Sequence, residues 1–160
     1  MKGIVAYDSL HGNTRQVAEA IASEIREQGH EAELVFVQEA HGSPAGDFMF
    51  IGSPTRGGRM TRDTERFIDS LDLAAWKGRP IVPFDTVGPL SKDRAKRQKW
   101  MAMIDDGDKN AACRIRSACS DRGLSTGRLL HFPVTGFWGP LASDSLDSAR
   151  ERTREFLRTL

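Results

Sequence analysis

The 160-residue sequence contains few of the residues from which common catalytic centres are built. It has two cysteines and four histidines, and none of them are spaced as zinc ligands usually are. We find no arrangement typical of a Ser–His–Asp triad or of a pair of catalytic carboxylates. The sequence therefore favours neither a metalloenzyme nor a hydrolase.

The two cysteines, Cys113 and Cys119, fall six positions apart in one predicted helix. Six positions correspond to roughly 600° of helical rotation, which places the two side chains on different faces. An internal disulfide is not expected from this spacing. We predict two reduced thiols, buried or half-buried.

Long apolar runs and a strong net charge are also missing. No run approaches the ~20 residues of a membrane span, and the N-terminus has no signal-peptide core. The net charge is +1, which gives no general reason to expect nucleic acid or a membrane as partner. We expect a single cytoplasmic domain over residues 1–160.

Positive charge is nevertheless concentrated in two places. Residues 92–99 are strongly basic, and arginines recur at positions 56, 59, 62 and 66. Such runs are either solvated faces or a surface for an acidic partner protein or anionic ligand. Both interpretations stay open at this point.

Strand-like and helix-like patterns alternate along the chain, which predicts an α/β domain with a parallel sheet. Helices are expected near 14–28, 61–71, 92–104, 109–122 and 145–157, and residues 38–46 look too broken for a good helix. The expected strands are Ile4–Tyr7, Leu34–Val37, Phe48–Gly52, Ile81–Phe84 and Leu129–Thr135.

Right-handed crossovers between five such strands give a three-layer, doubly wound sheet. Ligands of these sheets lie beyond the carboxyl ends of the strands, where the strand order reverses. The turns after the first, third and fourth strands are all rich in small and polar residues. We expect these three turns to converge on one ligand.

The turn after the first strand, Ser9-Leu10-His11-Gly12-Asn13-Thr14, is the most informative motif. An apolar strand that enters a helix through such a turn leaves backbone N–H groups without internal partners, and the helix dipole favours an anion there. Hydroxyl and amide side chains add further donors to phosphate oxygens. The motif predicts a phosphate cradle.

This turn resembles the phosphate loop of the flavodoxin family, Thr/Ser-x-Thr-Gly-Asn-Thr, with His11 in place of a hydroxyl residue. The segment Ile51-Gly52-Ser53-Pro54-Thr55 resembles the family's second flavin-contacting loop. The segment Trp76–Phe84 resembles its approach to the fourth strand. In element order and length the resemblance covers essentially the whole chain.

The resemblance implies a flavodoxin-like fold with strand order 2-1-3-4-5 and bound FMN. By position, it assigns the phosphate to Ser9, His11, Gly12, Asn13 and Thr14. It assigns one side of the isoalloxazine to Pro54, Thr55, Arg56 and Gly57, and the other side and the pyrimidine edge to Asp85, Thr86, Val87 and Gly88.

Two departures from the family pattern leave the function open. The Asp85–Pro89 loop has no aromatic residue to stack on a flavin, and the chain is slightly basic where flavodoxins are usually acidic. We therefore carry three hypotheses. The first is an FMN-binding electron carrier with a redox partner protein. The second is an FMN-dependent oxidoreductase in which a quinone, nicotinamide or porphyrinogen-like substrate stacks on the ring. The third is a cofactor-free binding module.

A few side chains carry further expectations. The Arg56 guanidinium could cover the ring where the aromatic is missing, and Trp138 could act as a lid or contact the ring edge. We expect Trp76 and Trp100 to be packing residues. His30, His41 and His131 are interpreted as isolated, structural histidines.

Overall fold

The centre of the molecule is a five-stranded parallel sheet with the order β2-β1-β3-β4-β5, in a computed structural model that describes residues 1–160. Its strands are β1 (Lys2–Tyr7), β2 (Glu31–Phe36), β3 (Phe48–Pro54), β4 (Ile81–Val87) and β5 (Leu130–Pro133). The predicted fold class and strand order are confirmed. β1 pairs with both β2 and β3, so the strand order reverses at β1.

Helices cover both faces of the sheet. They are α1 (Asn13–Glu27), α2 (Arg62–Asp69), α3 (Leu73–Trp76), α4 (Arg94–Asp106), α5 (Ala111–Asp121) and α6 (Ser145–Leu157). α1 and α6 pack together on one face, and α2 and α5 on the other. Between β2 and β3 the chain forms only a single 3₁₀ turn, Val37–Glu39.

Two hydrophobic clusters, one on each face, hold these layers together. Alternate residues of each central strand enter opposite clusters: Val5 packs under α1, whereas Ile4 and Ala6 pack under α2 and α5. The middle strands β3 and β4 are apolar over most of their length because both of their faces are covered, and their polar residues Ser53, Asp85 and Thr86 lie near the carboxyl ends. The core therefore lies within the sheet layers and leaves the carboxyl ends of the strands free to form a site.

The short helix α3 is not in the sequence prediction. It begins after Asp72, whose carboxylate accepts a hydrogen bond from the Ala75 N–H at 3.1 Å. Trp76 is 1 % exposed, and its indole N–H donates to the Pro44 carbonyl at 3.1 Å. The packing role expected for Trp76 is confirmed.

The same expectation for Trp100 is wrong. α4 packs along the edge strand β5, and its only buried residue is Arg97. Trp100 lies on the outer side of this helix with 54 % of its surface exposed. The basic segment that begins at Lys92 is solvated apart from Arg97, which turns inward.

Both cysteines lie on α5, are free and are buried, as predicted. Burial in apolar surroundings raises the pKa of the Cys119 thiol to about 11. A thiol in this environment stays protonated and unreactive near neutral pH.

Candidate functional site

A cleft opens at the carboxyl ends of β1, β3 and β4, next to the reversal of strand order. The loop after β5 contributes a fourth wall. The residues that line the cleft are Ser9, Leu10, His11, Asn13, Thr14, Pro54, Thr55, Arg56, Thr86, Val87, Gly88, Val134, Gly136 and Phe137. The three predicted turns therefore meet at one place, and of the predicted site residues only Gly12, Gly57 and Asp85 do not line it.

The turn after β1 is built as an anion cradle. Gly12 has a φ of 88° and donates its N–H to the Ser9 hydroxyl at 3.1 Å, which closes the turn just before α1 begins at Asn13. Most side chains avoid this left-handed conformation, so glycine suits the position. Four N–H groups of the turn donate to no acceptor in the protein, those of Leu10, His11, Asn13 and Thr14.

Hydroxyl groups add donors beside these N–H groups. The Thr14 and Thr86 hydroxyls are 2.8 Å apart and connect the first turn of α1 to the end of β4. One of the two donates to the other, so one hydroxyl hydrogen remains for a ligand. Gly139 approaches the Asn13 side chain so closely that an added Cβ would lie 2.8 Å from Asn13 Oδ1.

One permanently charged side chain, the cationic Arg56, lines the cleft. Arg56 places Nη1 3.5 Å from Nε2 of His11, across the mouth of the cleft. No aspartate or glutamate lines the cleft. An anionic group in the cradle would therefore meet backbone dipoles and the Arg56 guanidinium, with no carboxylate on the cleft wall to oppose it.

Asp8, directly before the cradle, is a buried carboxylate that ties several segments together. It accepts hydrogen bonds from the Ser9 N–H at 2.9 Å, the Gln38 amide at 2.8 Å and the Thr61 hydroxyl at 2.5 Å. Thr61 caps the N-terminus of α2. Asp8 thereby fixes the first turn relative to the loop after β3. Gln38 and Thr61 lie 30 and 53 positions away in the chain, so no local sequence signal indicates this role.

The loop after β3 presents Pro54, Thr55 and Arg56 to the cleft and then turns away. Arg56 and Arg59 exchange two backbone hydrogen bonds of 2.8 and 3.1 Å. The intervening Gly57 and Gly58 have φ values of 57° and 77°, which a tight hairpin turn of this kind requires. Gly57 therefore lies at the tip of the turn, outside the cleft lining.

Asp85 is directed away from the cleft, although its neighbour Thr86 lines it, because successive strand residues face opposite sides of the sheet. Its fully buried carboxylate accepts hydrogen bonds from the Ala112 N–H at 2.9 Å and the Thr55 hydroxyl at 3.3 Å. Its other oxygen lies 2.8 Å from Nδ1 of His131.

His131 is not isolated, contrary to the sequence interpretation. Its ring is 2 % exposed and lies between Asp85 and Asp105, with Nε2 3.4 Å from Asp105 Oδ1. Burial disfavours the charged ring and lowers the pKa. The hydrogen bond and the charge of Asp85, with the charge of Asp105, outweigh burial and raise the pKa above its usual 6.5.

Aromatic side chains reach the cleft from the loop after β5. Phe137 lines it and is 84 % exposed, and Trp138 is 74 % exposed with its ring 6.1 Å from that of His11. Sequence reasoning singled out Trp138 and missed Phe137, although both stand in the same glycine-flanked segment. The aromatic missing from the loop after β4 has a counterpart here.

These residues fit a planar ligand that carries a phosphate monoester. The four unpartnered N–H groups, the hydroxyls and the Arg56 guanidinium would hold the phosphate. The loops after β3, β4 and β5 line the rest of the cleft. The described residues include no group of side chains suited to a metal ion, and no helix is long and apolar enough to cross a membrane.

Comparison with known proteins gives a consistent result. The family profile described as Flavodoxin domain matches residues 4–129. No curated protein sequence gives a significant match.

Many solved structures share the fold. An archaeal flavodoxin is 18 % identical, with a TM-score of 0.72 over 99 % of this chain and 98 % of that one. Oxidised flavodoxin 1 from Bacillus cereus is 20 % identical, with a TM-score of 0.67 over 100 % and 99 %. A cysteine-to-alanine mutant of the Pseudomonas aeruginosa flavodoxin is 16 % identical, with a TM-score of 0.70 over 100 % and 99 %. At these identities the likeness shows a shared fold. Since the family profile matches more than half of the sequence, the chain belongs to the flavodoxin domain family.

Proposed function

We propose that this protein binds FMN in the cleft and acts as an electron carrier. The observation that carries the proposal is the cradle: four backbone N–H groups at the start of α1 lack protein acceptors, and no carboxylate lines the cleft beside them. Such a site selects an anion, and its place at the reversal of strand order is the place where doubly wound sheets bind nucleotides.

Different residues of the cleft bind different parts of FMN. The turn from Ser9 to Thr14 and the Thr14–Thr86 hydroxyl pair hold the phosphate. Arg56 supplies positive charge at the mouth, next to the His11 ring. The loops after β3 and β4 border the isoalloxazine on its two sides, with Phe137 at the rim. FMN, when bound, supplies reversible uptake of one or two electrons.

The composition of the cleft favours a carrier over an enzyme. Apart from the arginine, the only titratable side chain in the lining is His11, and no cysteine, tyrosine or carboxylate lines the cleft. Residues of this kind bind and orient a cofactor, but they do not form an acid–base pair for substrate chemistry. Two free, buried cysteines are consistent with a reducing compartment such as the cytoplasm.

Titration of the purified chain with FMN and with riboflavin tests the proposal. The two ligands share the ring and differ by the phosphate. If the cradle binds the phosphate, FMN should bind at least 100-fold more tightly than riboflavin, a difference that roughly two charge-assisted hydrogen bonds would produce. Equal affinity would contradict the assignment of the cradle. No binding of either ligand would favour the cofactor-free module.

A flavin-dependent oxidoreductase is the second candidate. The observation in its favour is the wall formed by Val87 and Gly88, which has no aromatic side chain. A planar substrate could therefore stack on that side of the ring. Multiple turnovers of a quinone with NADH or NADPH by the FMN-loaded protein would support the enzyme. Stoichiometric exchange of electrons with protein donors and no turnover would support the carrier.

A further inference from the structure

The helix α4 has an outer face with no partner in the molecule. At 100° per residue, Lys96, Lys99, Trp100 and Met103 lie within about 100° of one another around the helix axis. All four are exposed, Trp100 to 54 % and Met103 to 63 %. We call these four residues the α4 outer face.

The opposite side of α4 explains why this face is free. The inward residues Arg97, Met101 and Asp105 border a cavity between α4, β5 and the start of α6. Arg97 is held by the carbonyls of Ser91 and Lys92 at 3.2 and 3.1 Å. The N-terminal part of α4 is thus fixed by polar contacts of Arg97, and Trp100 and Met103 are left in solvent.

α4 also lies close to the cleft. The chain reaches it directly from Val87 and Gly88, which line the cleft. The Leu90 N–H donates to the carbonyl of Val134, another lining residue, at 2.7 Å. At the first turns of the helix, Arg97 Nη2 lies 3.7 Å from Asp144 in the loop that carries Phe137 and Trp138. The N-terminal end of α4 is therefore attached to the loops that line the cleft, although no residue of α4 lines it.

The chemistry of this face defines its partner. Residues 92–99 present four exposed cations, Lys92, Arg94, Lys96 and Lys99, and one aspartate, Asp93, which is engaged as the N-cap of α4. An exposed Trp with an adjacent Met, bordered by lysines, has the composition of an interface centre with a charged rim. One Trp and one Met make too narrow an apolar stripe for a membrane-surface helix.

We propose that the α4 outer face is the docking site for an acidic electron-transfer protein. The lysines steer the partner by charge, Trp100 and Met103 form the buried centre of the interface, and docking there brings the partner to the rim of the cleft. This inference rests on the proposed electron-carrier function, but the surface itself exists without a flavin.

Two redox proteins of opposite charge serve as probes: an acidic plant-type 2Fe–2S ferredoxin and a basic cytochrome c. Binding of the oxidised probes is measured by calorimetry with and without FMN, at low and high salt. Electron transfer from reduced ferredoxin to the FMN-loaded protein is measured by stopped flow. We expect ferredoxin to bind in both forms, more weakly as salt rises, and cytochrome c not to bind.

The variants K96E/K99E and K77E/R158E separate docking from net charge, because both change the charge by the same amount. Lys77 precedes β4 and Arg158 follows α6, so both exposed residues lie near the amino-terminal ends of the strands, away from the cleft. We expect K96E/K99E and W100A each to weaken ferredoxin binding about 10-fold or more, and K77E/R158E to change it less than threefold.

Equal losses in the two charge-reversal variants would overturn the proposal, as would unchanged binding in W100A. Preferential binding of cytochrome c, or tighter binding to phosphatidylserine vesicles than to ferredoxin, would also overturn it. Failure of the proposed function looks different. In that case FMN does not bind, while ferredoxin still binds the FMN-free protein and remains sensitive to K96E/K99E.

Discussion

At the scale of single residues, the cleft works through donors that the fold leaves unpaired. The Thr14 and Thr86 hydroxyls form one hydrogen bond with each other and keep one hydrogen for a ligand. Arg56 and His11 face each other at the mouth. None of these groups belongs to the hydrophobic core, so their replacement is expected to change ligand binding more than folding.

We expect Thr14→Val to raise the Kd for FMN about 10-fold, because it removes a hydroxyl at the phosphate while keeping the shape of the side chain. Calorimetric titration measures the change. Thr159→Val is a matched control, since Thr159 bonds the Phe156 carbonyl at the far end of α6. An unchanged Kd for Thr14→Val would remove Thr14 from the phosphate site.

Arg56→Gln tests the electrostatic role of the guanidinium. Removal of a cation near the ring makes each added electron less favourable by about 1 kcal/mol, so the midpoint potential falls by tens of millivolts. Spectroelectrochemical titration of the FMN-loaded protein measures it. Arg62→Gln, on the first turn of α2 and outside the cleft lining, should leave the potential unchanged. Equal midpoint potentials in the Arg56→Gln and Arg62→Gln variants would mean that the Arg56 guanidinium is solvated and has no electrostatic effect on the ring.

His131 predicts a pH dependence of stability. Burial of the ring lowers the pKa of His131. The hydrogen bond to Asp85 and the negative charges of Asp85 and Asp105 raise it by more, so the pKa in the folded protein lies above its usual value. The imidazolium therefore stabilises the fold fully below the unfolded pKa of about 6.5, and this contribution is lost as pH rises through the folded pKa. Urea unfolding between pH 6 and 9 should show a decline that His131→Gln flattens. If the unfolding free energy of His131→Gln declines equally over this pH range, another titratable group causes the decline.

At the scale of elements, the local sequence determines much of the structure. Ser145–Leu157 forms a helix with the predicted bounds. Each of the five strands overlaps its predicted range, but the bounds differ: β2 begins at Glu31, three residues before the predicted start. The periodicity of apolar residues and the glycine-rich turns contain this information. The α3 turn escapes prediction because four residues are too few to establish a period.

Long-range contacts could not be predicted in this way. The sequence indicates neither that Asp85 turns from the cleft toward His131 nor that Asp8 bonds Thr61, because these partners lie 46 and 53 positions apart. The sequence predicts a buried Trp100 because a Trp in a helix usually packs. α4, however, covers the sheet edge through Arg97 and leaves the Trp outside.

Two glycines at the ends of α1 allow the cradle to be tested as an element. Gly12 and Gly29 have φ values of 88° and 86°, and an added Cβ meets nothing within 4 Å at either site. Alanine should therefore cost the same strain at both, about 1–2 kcal/mol of unfolding free energy. Only Gly12→Ala should also weaken FMN binding. Equal FMN affinity in the two variants would mean that the turn at Gly12 does not take part in binding FMN.

At the scale of the whole molecule, the core and the site are distinct. The two hydrophobic clusters fill both faces of the sheet with residues from strands and helices, and none of these residues lines the cleft. The fold therefore does not depend on the ligand for its core. What a ligand adds is the pairing of donors at the carboxyl edge of the sheet.

This separation predicts a folded, cooperative FMN-free protein that FMN stabilises by mass action. A ligand that binds only the native state adds about 2.7 kcal/mol at a concentration of 100 Kd, which for a chain of this length raises Tm by roughly 5–11 °C. Differential scanning calorimetry at matched concentrations of FMN and riboflavin measures the effect. Because the cradle binds phosphate, FMN should raise Tm clearly more than riboflavin does. An FMN-free protein without a cooperative transition would mean that the ligand completes the fold.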